Sequence, residues 1–224
     1  MTTLDRTWLQ GKLLIALPSI NDPRFADSVI YICNHDPEGA MGLVINNARG
    51  KVTLSNILDQ IGITTDTESE SQKSRDKTLQ DGTMKNDQTD NKHAPIPIDE
   101  PKYMRLPVLN GGPVDMDRGF VLHSPDTPAL DNAIKISEQI MLSSTKEILE
   151  NLITDEAPQK ALIAIGYSGW GAGQIESEIA ANVWMVAEAD EALLFDTDYE
   201  TKWARALKTL GIKPEMLSAF GGTA

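Results

Sequence analysis

One cysteine and three histidines are the residues of this chain best suited to nucleophilic or metal chemistry, and two of them stand close together. Cys33 and His35 are two apart in Tyr31-Ile32-Cys33-Asn34-His35, a run whose strand-like alternation places both on one face. His123 ends a second such run, Gly119-Phe120-Val121-Leu122-His123, directly after Asp117 and Arg118. Zinc takes three or four thiolate, imidazole or carboxylate ligands, so a metal site would need His123 and Asp36 beside the Cys33–His35 pair. Strand-end histidines more often satisfy local hydrogen bonds, and no metal is expected. A Cys33–His123–Asp117 nucleophilic set is equally thin, because neither an elbow motif nor an oxyanion turn surrounds Cys33. Inside Tyr31-Ile32-Cys33 the thiol reads as a small buried hydrophobe.

Two further patterns invite a ligand. The apolar run Ala161 to Ile165 leads into Gly166-Tyr167-Ser168-Gly169-Trp170-Gly171-Ala172-Gly173, and the acids Glu188 and Asp190 follow some 20 residues on. A dinucleotide fold uses such parts, with glycines at the pyrophosphate and an acid on the ribose. The G-x-G-x-x-G spacing fails, however, because Gly171 and Gly173 would require a third glycine where Glu176 stands. A glycine-rich turn tucking Trp170 against the core is the simpler expectation, and no cofactor is indicated. Lys202, Arg205 and Lys208 are three apart and fall along one helical stripe, which a DNA regulator would lay on phosphates. A solvated face opposite Trp203 and Leu207 accounts for the same spacing.

Composition narrows the classes. The chain has 224 residues, 41% hydrophobic, with 20 basic against 33 acidic side chains and a formal net charge of −13. Such a charge repels polyanions, which argues against direct nucleic-acid binding and against anionic membranes. A lone cysteine excludes an intrachain disulfide and suits a reducing compartment. Leu13 to Leu17 is too short for a signal-peptide core, and the uncharged run Ala161 to Ile175 is interrupted by glycines and shorter than a spanning helix. The expectation is a cytoplasmic, soluble protein.

Short apolar runs bounded by Gly, Pro, Asn or Asp predict the strands that would carry these residues: Lys12 to Leu17, Ser28 to Cys33, Met41 to Ile45, Pro107 to Leu109, Gly119 to Leu122, Ala161 to Ile165 and Val183 to Ala187. Asp36-Pro37-Glu38-Gly39 predicts a hairpin turn. A helix is expected over Leu54 to Ile61, capped by Thr53 and ended by Gly62. Others are expected after the capping box Ser144-Thr145-Lys146-Glu147, around Gln174 to Ala181, and from near Asp198 to Gly211. From Thr64 to Lys102 mixed charges replace apolar periodicity and no aromatic residue occurs before Tyr103, so this stretch reads as a disordered insert within one domain of residues 1–224.

The elements, in order, resemble the AlgH/YqgE family of bacterial proteins. The resemblance rests on Leu14-Ile15-Ala16-Leu17-Pro18, Asp22-Pro23-Arg24-Phe25, Ser28-Val29-Ile30-Tyr31, His35 and Gly39-Ala40-Met41-Gly42-Leu43-Val44-Ile45-Asn46. It continues through Gly111-Gly112-Pro113-Val114, Arg118-Gly119-Phe120-Val121-Leu122-His123, Gly166-Tyr167-Ser168-Gly169-Trp170, Gly173-Gln174-Ile175-Glu176 and Trp203. It covers nearly all of the chain except the insert, which is longer than the family's usual connection. The resemblance implies an α+β fold, a branched and mostly antiparallel sheet curled into a pseudo-barrel with helices outside. It brings no catalytic residues with it; the family takes its name from a proposed regulatory role in alginate synthesis.

His35, Asp117, Arg118 and His123 are the polar strand-end positions within the matching motifs, and Arg118 is suited to an acid or a bound anion. A structural role as strand caps and an ion pair is the competing expectation. Three function classes follow. The first is a non-enzymatic regulator or adaptor acting through a protein or small-ligand partner. The second is a small-ligand-, nucleotide- or metal-dependent enzyme, and the third a direct DNA-binding regulator. Convergence of the four polar residues on one pocket would favour the second over the first.

Overall fold

The computed structural model describes residues 8–63 and 101–218. The greater part of the polar insert, residues 64–100, lies outside the described residues, as does the expectation made for it. Pro101 and Lys102 belong to a turn: the Pro101 carbonyl accepts from Met104 N–H, and the Lys102 ammonium reaches the Gln159 carbonyl.

Among the described residues ten strands build one sheet: β1 (Lys12–Ala16), β2 (Val29–Asp36), β3 (Gly39–Val44), β4 (Ala48–Thr53), β5 (Pro107–Asn110), β6 (Val114–His123), β7 (Ile134–Lys135), β8 (Met141–Ser143), β9 (Ala161–Gly171) and β10 (Trp184–Glu188). Their order is β10-β1-β2-β3-β9-β6-β8-β7, with β5 also paired to β9 and β4 to β5. All pairs are antiparallel except β5–β9. The sheet therefore branches on β9, whose first half pairs with β5 and β6 and whose second half pairs with β3.

Backbone contact makes the branch possible. Gly111 donates its N–H to the Ile165 carbonyl at 2.9 Å, and its own carbonyl accepts from Val44 N–H at 2.9 Å. A Cβ on Gly111 would stand 2.3 Å from the Gly166 carbonyl oxygen, and one on Gly112 (φ 151°) 2.2 Å from the Tyr167 carbonyl carbon. Only glycine admits so close an approach at a positive φ.

Helices α1 (Leu54–Ile61), α2 (Lys146–Asn151), α3 (Gln174–Ala180), α4 (Glu191–Phe195), α5 (Lys202–Thr209) and α6 (Pro214–Ser218) lie on this sheet. Three apolar clusters hold the layers together. Leu13, Ile15, Tyr31, Leu43, Phe120, Leu122 and Leu142 come from distant strands into one cluster, so the sheet is curled, and Leu194 of α4 and Leu207 of α5 close it. Ile30, Ile32, Trp170 and Trp184 form a second cluster with Ile175 of α3. Val108, Val121 and Ile163 form a third with Leu54 and Leu58 of α1 and Ile148 of α2. The α+β fold and the branched, curled sheet are as expected.

Several elements differ from expectation. β9 continues through Gly166 to Gly171, so most of the glycine-rich stretch is strand and only Ala172 and Gly173 are turn. Trp170 is buried within it, and its indole N–H shares the Glu178 carboxylate oxygen Oε2 with that of Trp184, at 2.9 and 2.7 Å. A two-residue turn, Ala172-Gly173, joins strand to helix, and Glu176 stands in the first turn of that helix, where its charge would repel a phosphate. β4 is an unexpected strand, polar in sequence. The capping box before α2 does not form: Thr145 is the N-cap, and its hydroxyl is buried without a partner.

Candidate functional site

The outer half of β6 leaves the sheet. Val114 faces Tyr167 and Gly119 faces Ile165, so five steps along β6 are matched by two along β9. The surplus residues bow outward, with Asp115 at φ 55°, a conformation that costs a non-glycine residue energy. Val114 to Gly119 are exposed as a result. A cleft opens on each side of this bowed segment, and Phe120 and Ser144 line both.

The first cleft, about 570 Å³, contains Arg118. One Arg118 Nη donates to Ser144 Oγ at 2.9 Å, and the guanidinium lies 5.3 Å from the Phe120 ring centroid. Among the described residues it makes no ion pair. Yet Asp36, Glu38 and Asp115 line the same cleft. Hydrogen bonds from the Asn34 amide (2.9 Å) and the Glu38 N–H (2.8 Å) hold the Asp36 carboxyl below its ordinary range, so it is ionised at neutral pH. Met41, Phe120, Tyr167 and Ile134 supply an apolar wall. Residues from four of the segments that carry the family resemblance meet here: Gly39 to Met41, Val114, Arg118 with Phe120, and Tyr167 with Gly169 and Trp170. Cavities of this size with a few charged groups over an apolar wall suit small ligands or a partner's side chains.

The second cleft, about 810 Å³, runs between α1 and α2 over β6 and β9. Ile57, Ile61, Ile148, Leu149, Ile163 and Ile165 line it, with Arg49, Asp117 and Lys146 as its charged groups.

The four polar residues expected at a site do not share one pocket. Asp117 lines the second cleft and Arg118 the first, while His35 and His123 line neither. His35 is buried; its Nδ1 accepts from Leu9 N–H at 3.1 Å, so its Nε2–H faces the Glu176 carboxylate at 3.2 Å. His123 lies at the far end of β6, with Nδ1 against the Ser124 carbonyl and Nε2 against Ser143 Oγ, each at 2.9 Å. Burial lowers its pKa, consistent with a neutral ring donating from Nδ1 and accepting at Nε2. Both ring nitrogens of each histidine are thus engaged.

The thiol is the small buried hydrophobe expected, but it does not share a face with His35. Ile32 pairs with Gly42 and Asn34 with Met41, so Cys33 is an extra residue, a bulge that flips the alternation. Cys33 falls in the first cluster, whereas His35 pairs with Ala40 of the second. They face opposite sides and cannot share a metal. Complete burial raises the thiol pKa, which removes its nucleophilic form. Among the described residues no group of three His, Cys, Asp or Glu is placed to hold a metal ion.

Nor does the basic stripe survive. Lys202 is fully buried, and its ammonium donates to the Leu194 and Asp196 carbonyls at 3.1 and 2.9 Å, closing the C-terminal end of α4. Desolvation lowers its pKa to about 8. Arg205 is paired with Asp196, which leaves Lys208 alone on the surface. The sequence reading missed Asp115 and Arg49, took Asp36 only as a possible metal ligand, and took Ser144 only as part of a capping box. Asp36 was legible, since it opens the hairpin turn beside His35; Arg49 was not, because β4 lacks a strand pattern.

A curled, branched α+β sheet with helices outside and two clefts about one bowed strand defines the class of fold. The AlgH-like family model (DUF179) matches residues 13–215. A UPF0301 protein of Aliivibrio salmonicida is 41% identical over 216 residues, covering 96% of this chain and 99% of that protein. One from a Jannaschia species is 40% identical, covering 96% and 95%. The solution structure of the AlgH protein from Pseudomonas aeruginosa, also UPF0301, covers both chains fully at 32% identity with a TM-score of 0.67. A crystal structure of protein DIP2367 from Corynebacterium diphtheriae shares the fold, with a TM-score of 0.58 at 17% identity over 96% of this chain and 92% of that one. This chain belongs to the AlgH-like family. Among its described residues no helix is long and apolar enough to cross a membrane.

Proposed function

We propose that this chain is a non-enzymatic cytoplasmic regulator or adaptor whose protein or small-ligand partner seats in the cleft around Arg118. One observation carries the reading. Arg118 opens into a cleft of about 570 Å³ with, among the described residues, one side-chain hydrogen bond and no ion pair, although three carboxylates line the same walls. A guanidinium has five N–H donors, and opposite charges that share a cleft without closing on each other leave room for a guest between them. The engaged histidines and the sealed thiol favour binding over nucleophilic catalysis. The net charge and the lost basic stripe favour a protein or small ligand over duplex DNA.

A photo-crosslinking residue in place of Ile134, which is exposed on the cleft wall, tests this in living bacteria. A discrete adduct is expected, and Arg118→Glu should abolish it while the thermal melt shows the variant still folded. Adducts indifferent to Arg118→Glu, or a substrate turned over by the purified protein and lost with the same substitution, would overturn the reading.

A further inference from the structure

The groove between α1 and α2 has a chemistry of its own. Its volume, about 810 Å³, falls in the range of small-molecule sites. Its walls are branched aliphatic side chains, Ile57 and Ile61 from α1, Ile148 and Leu149 from α2, Ile163 and Ile165 from β9. Phe120, shared with the Arg118 cleft, is the one aromatic residue lining it among those described. Ile61 and Met116 line it while exposed by 42% and 46%, so two of the seven large apolar residues exposed among the described ones stand at this groove.

Three charged residues complete the lining. The Arg49 guanidinium makes no hydrogen bond or ion pair among the described residues. Lys146 shares its charge with Glu150 at 3.2 Å, and Asp117 contributes one negative charge from the bowed strand. Among the described residues the cation left without a partner is therefore Arg49, and Asp117 is the one carboxylate that shares the lining. That balance suits one negative charge and disfavours a dianion. A carboxylate matches the planar guanidinium fork.

We propose that this groove binds a medium-chain alkyl monocarboxylate, with the hydrocarbon chain between α1 and α2 and the carboxylate on Arg49. The site is separate from the Arg118 cleft and stands whether or not that cleft has a partner. Aliphatic walls on both helices favour a flexible chain over a flat aromatic ring, since ring faces find few aromatic partners here. The chain's net charge of −13 favours a carboxylate taken up as a free molecule over one embedded in an anionic bilayer.

Isothermal titration of the full chain below the micellar range tests the proposal with octanoate, decanoate, decanol and decyltrimethylammonium. Decanoate is expected to saturate at one per chain and to bind more tightly than octanoate, by up to about fourfold for each added methylene. Decanol should bind about tenfold more weakly than decanoate, and decyltrimethylammonium more weakly still. Arg49→Gln, on an exposed side chain, should bring decanoate down to the decanol level and leave decanol unchanged. Leu149→Trp should fill the groove and remove both; its thermal melt establishes that the variant is folded. No saturation with decanoate, or equal affinities for decanoate and decyltrimethylammonium, would overturn the proposal. So would indifference to both substitutions, or binding only to vesicles doped with the carboxylate, which would mark a membrane contact instead.

Discussion

Two clefts flank the same bowed strand, and their walls have opposite characters. On the Arg118 side, acids and one cation stand around an apolar wall, and the charges fail to neutralise one another. On the Arg49 side, two helices line a groove with aliphatic side chains and leave charge to three residues. The difference comes from what covers the sheet. Helices α1 and α2 pack their apolar faces on β5, β6 and β9, and the groove is the gap they leave between them. Near Arg118 the walls come from the β2–β3 hairpin and from the polar approach to β7, and turn residues such as Asp36 and Asn132 supply the charge and polarity. Neighbouring residues of the bowed segment divide between the two, Asp115 and Arg118 on one side, Met116 and Asp117 on the other.

The comparison breaks altogether if the branch fails. Gly112→Val would place a branched side chain where a Cβ alone meets the Tyr167 carbonyl carbon at 2.2 Å, at a φ that β-branched residues avoid. Backbone atoms cannot yield as a flexible side chain would. The expected outcome is loss of the folded state, beyond the roughly 5–15 kcal/mol a domain has in reserve or close to it. Circular dichroism and a thermal melt decide it, and a cooperative transition near that of the unaltered chain would contradict this account of the branch.

Phe120 tests what the clefts share. It is 4% exposed, packs edge-on against Tyr167 with centroids 5.9 Å apart, and lines both clefts. Phe120→Ala should cost about 3–5 kcal/mol through lost transfer and the cavity left behind. Because the residue belongs to both walls, binding on either side should weaken together, read by titration at a temperature where the variant is folded. Weakening on one side alone would make the clefts independent.

Much of this architecture was legible in the residues, for identifiable reasons. Helix α1 ends as its signals require: Thr53 donates its backbone N–H and its hydroxyl to Asn56 Oδ1, and Gly62 closes the helix at φ 69°. The hairpin at Asp36-Pro37-Glu38-Gly39 forms where a turn with its own hydrogen bond from Glu38 N–H predicts it. The site was far less legible. One extra residue at Cys33 inverts the alternation that sequence spacing assumes, so His35 and Cys33 part company. Glycines at 166, 169 and 171 read as a turn because local preference cannot register that three neighbouring strands hold β9 extended. Lys202 looked solvated because helical spacing says nothing of the unsatisfied carbonyls that α4 presents to it. The clefts themselves join residues more than 100 apart in the chain, such as Arg49 with Ile163, a relation no local pattern contains.

His123 offers a control that lies outside both clefts. Its folded pKa is lowered, chiefly by burial, below the ordinary 6.5. Between the two values the unfolded chain holds a proton that the folded chain does not, so stability rises with pH through that window. The contribution is fully present above about pH 6.5 and is lost as pH falls towards the folded value. His123→Gln should flatten this part of the stability-against-pH curve, measured by denaturant titration from pH 4.5 to 8. Binding in either cleft, compared at one pH where both chains are folded, should be unaffected. A curve that keeps its slope without the imidazole would assign the acid sensitivity to other groups.

The smallest effect on stability belongs to the residue on which the Arg118 cleft depends. Arg118 is exposed, and what its side chain gives the folded state is one hydrogen bond to Ser144 and a ring contact at 5.3 Å. Exposed contacts of this kind are each worth about 0.5–1 kcal/mol at most, and water replaces much of what is lost. Arg118→Gln should therefore lower the thermal midpoint by about 3 °C or less for a chain of this size. A truly structural arginine, buried and paired, would cost several times more. The same substitution should leave decanoate affinity in the neighbouring groove within about twofold, because the two sides share Phe120 and Ser144 but not their cation. If Arg118→Gln instead weakens decanoate as strongly as Arg49→Gln does, the two clefts are one site, and the division drawn along β6 fails.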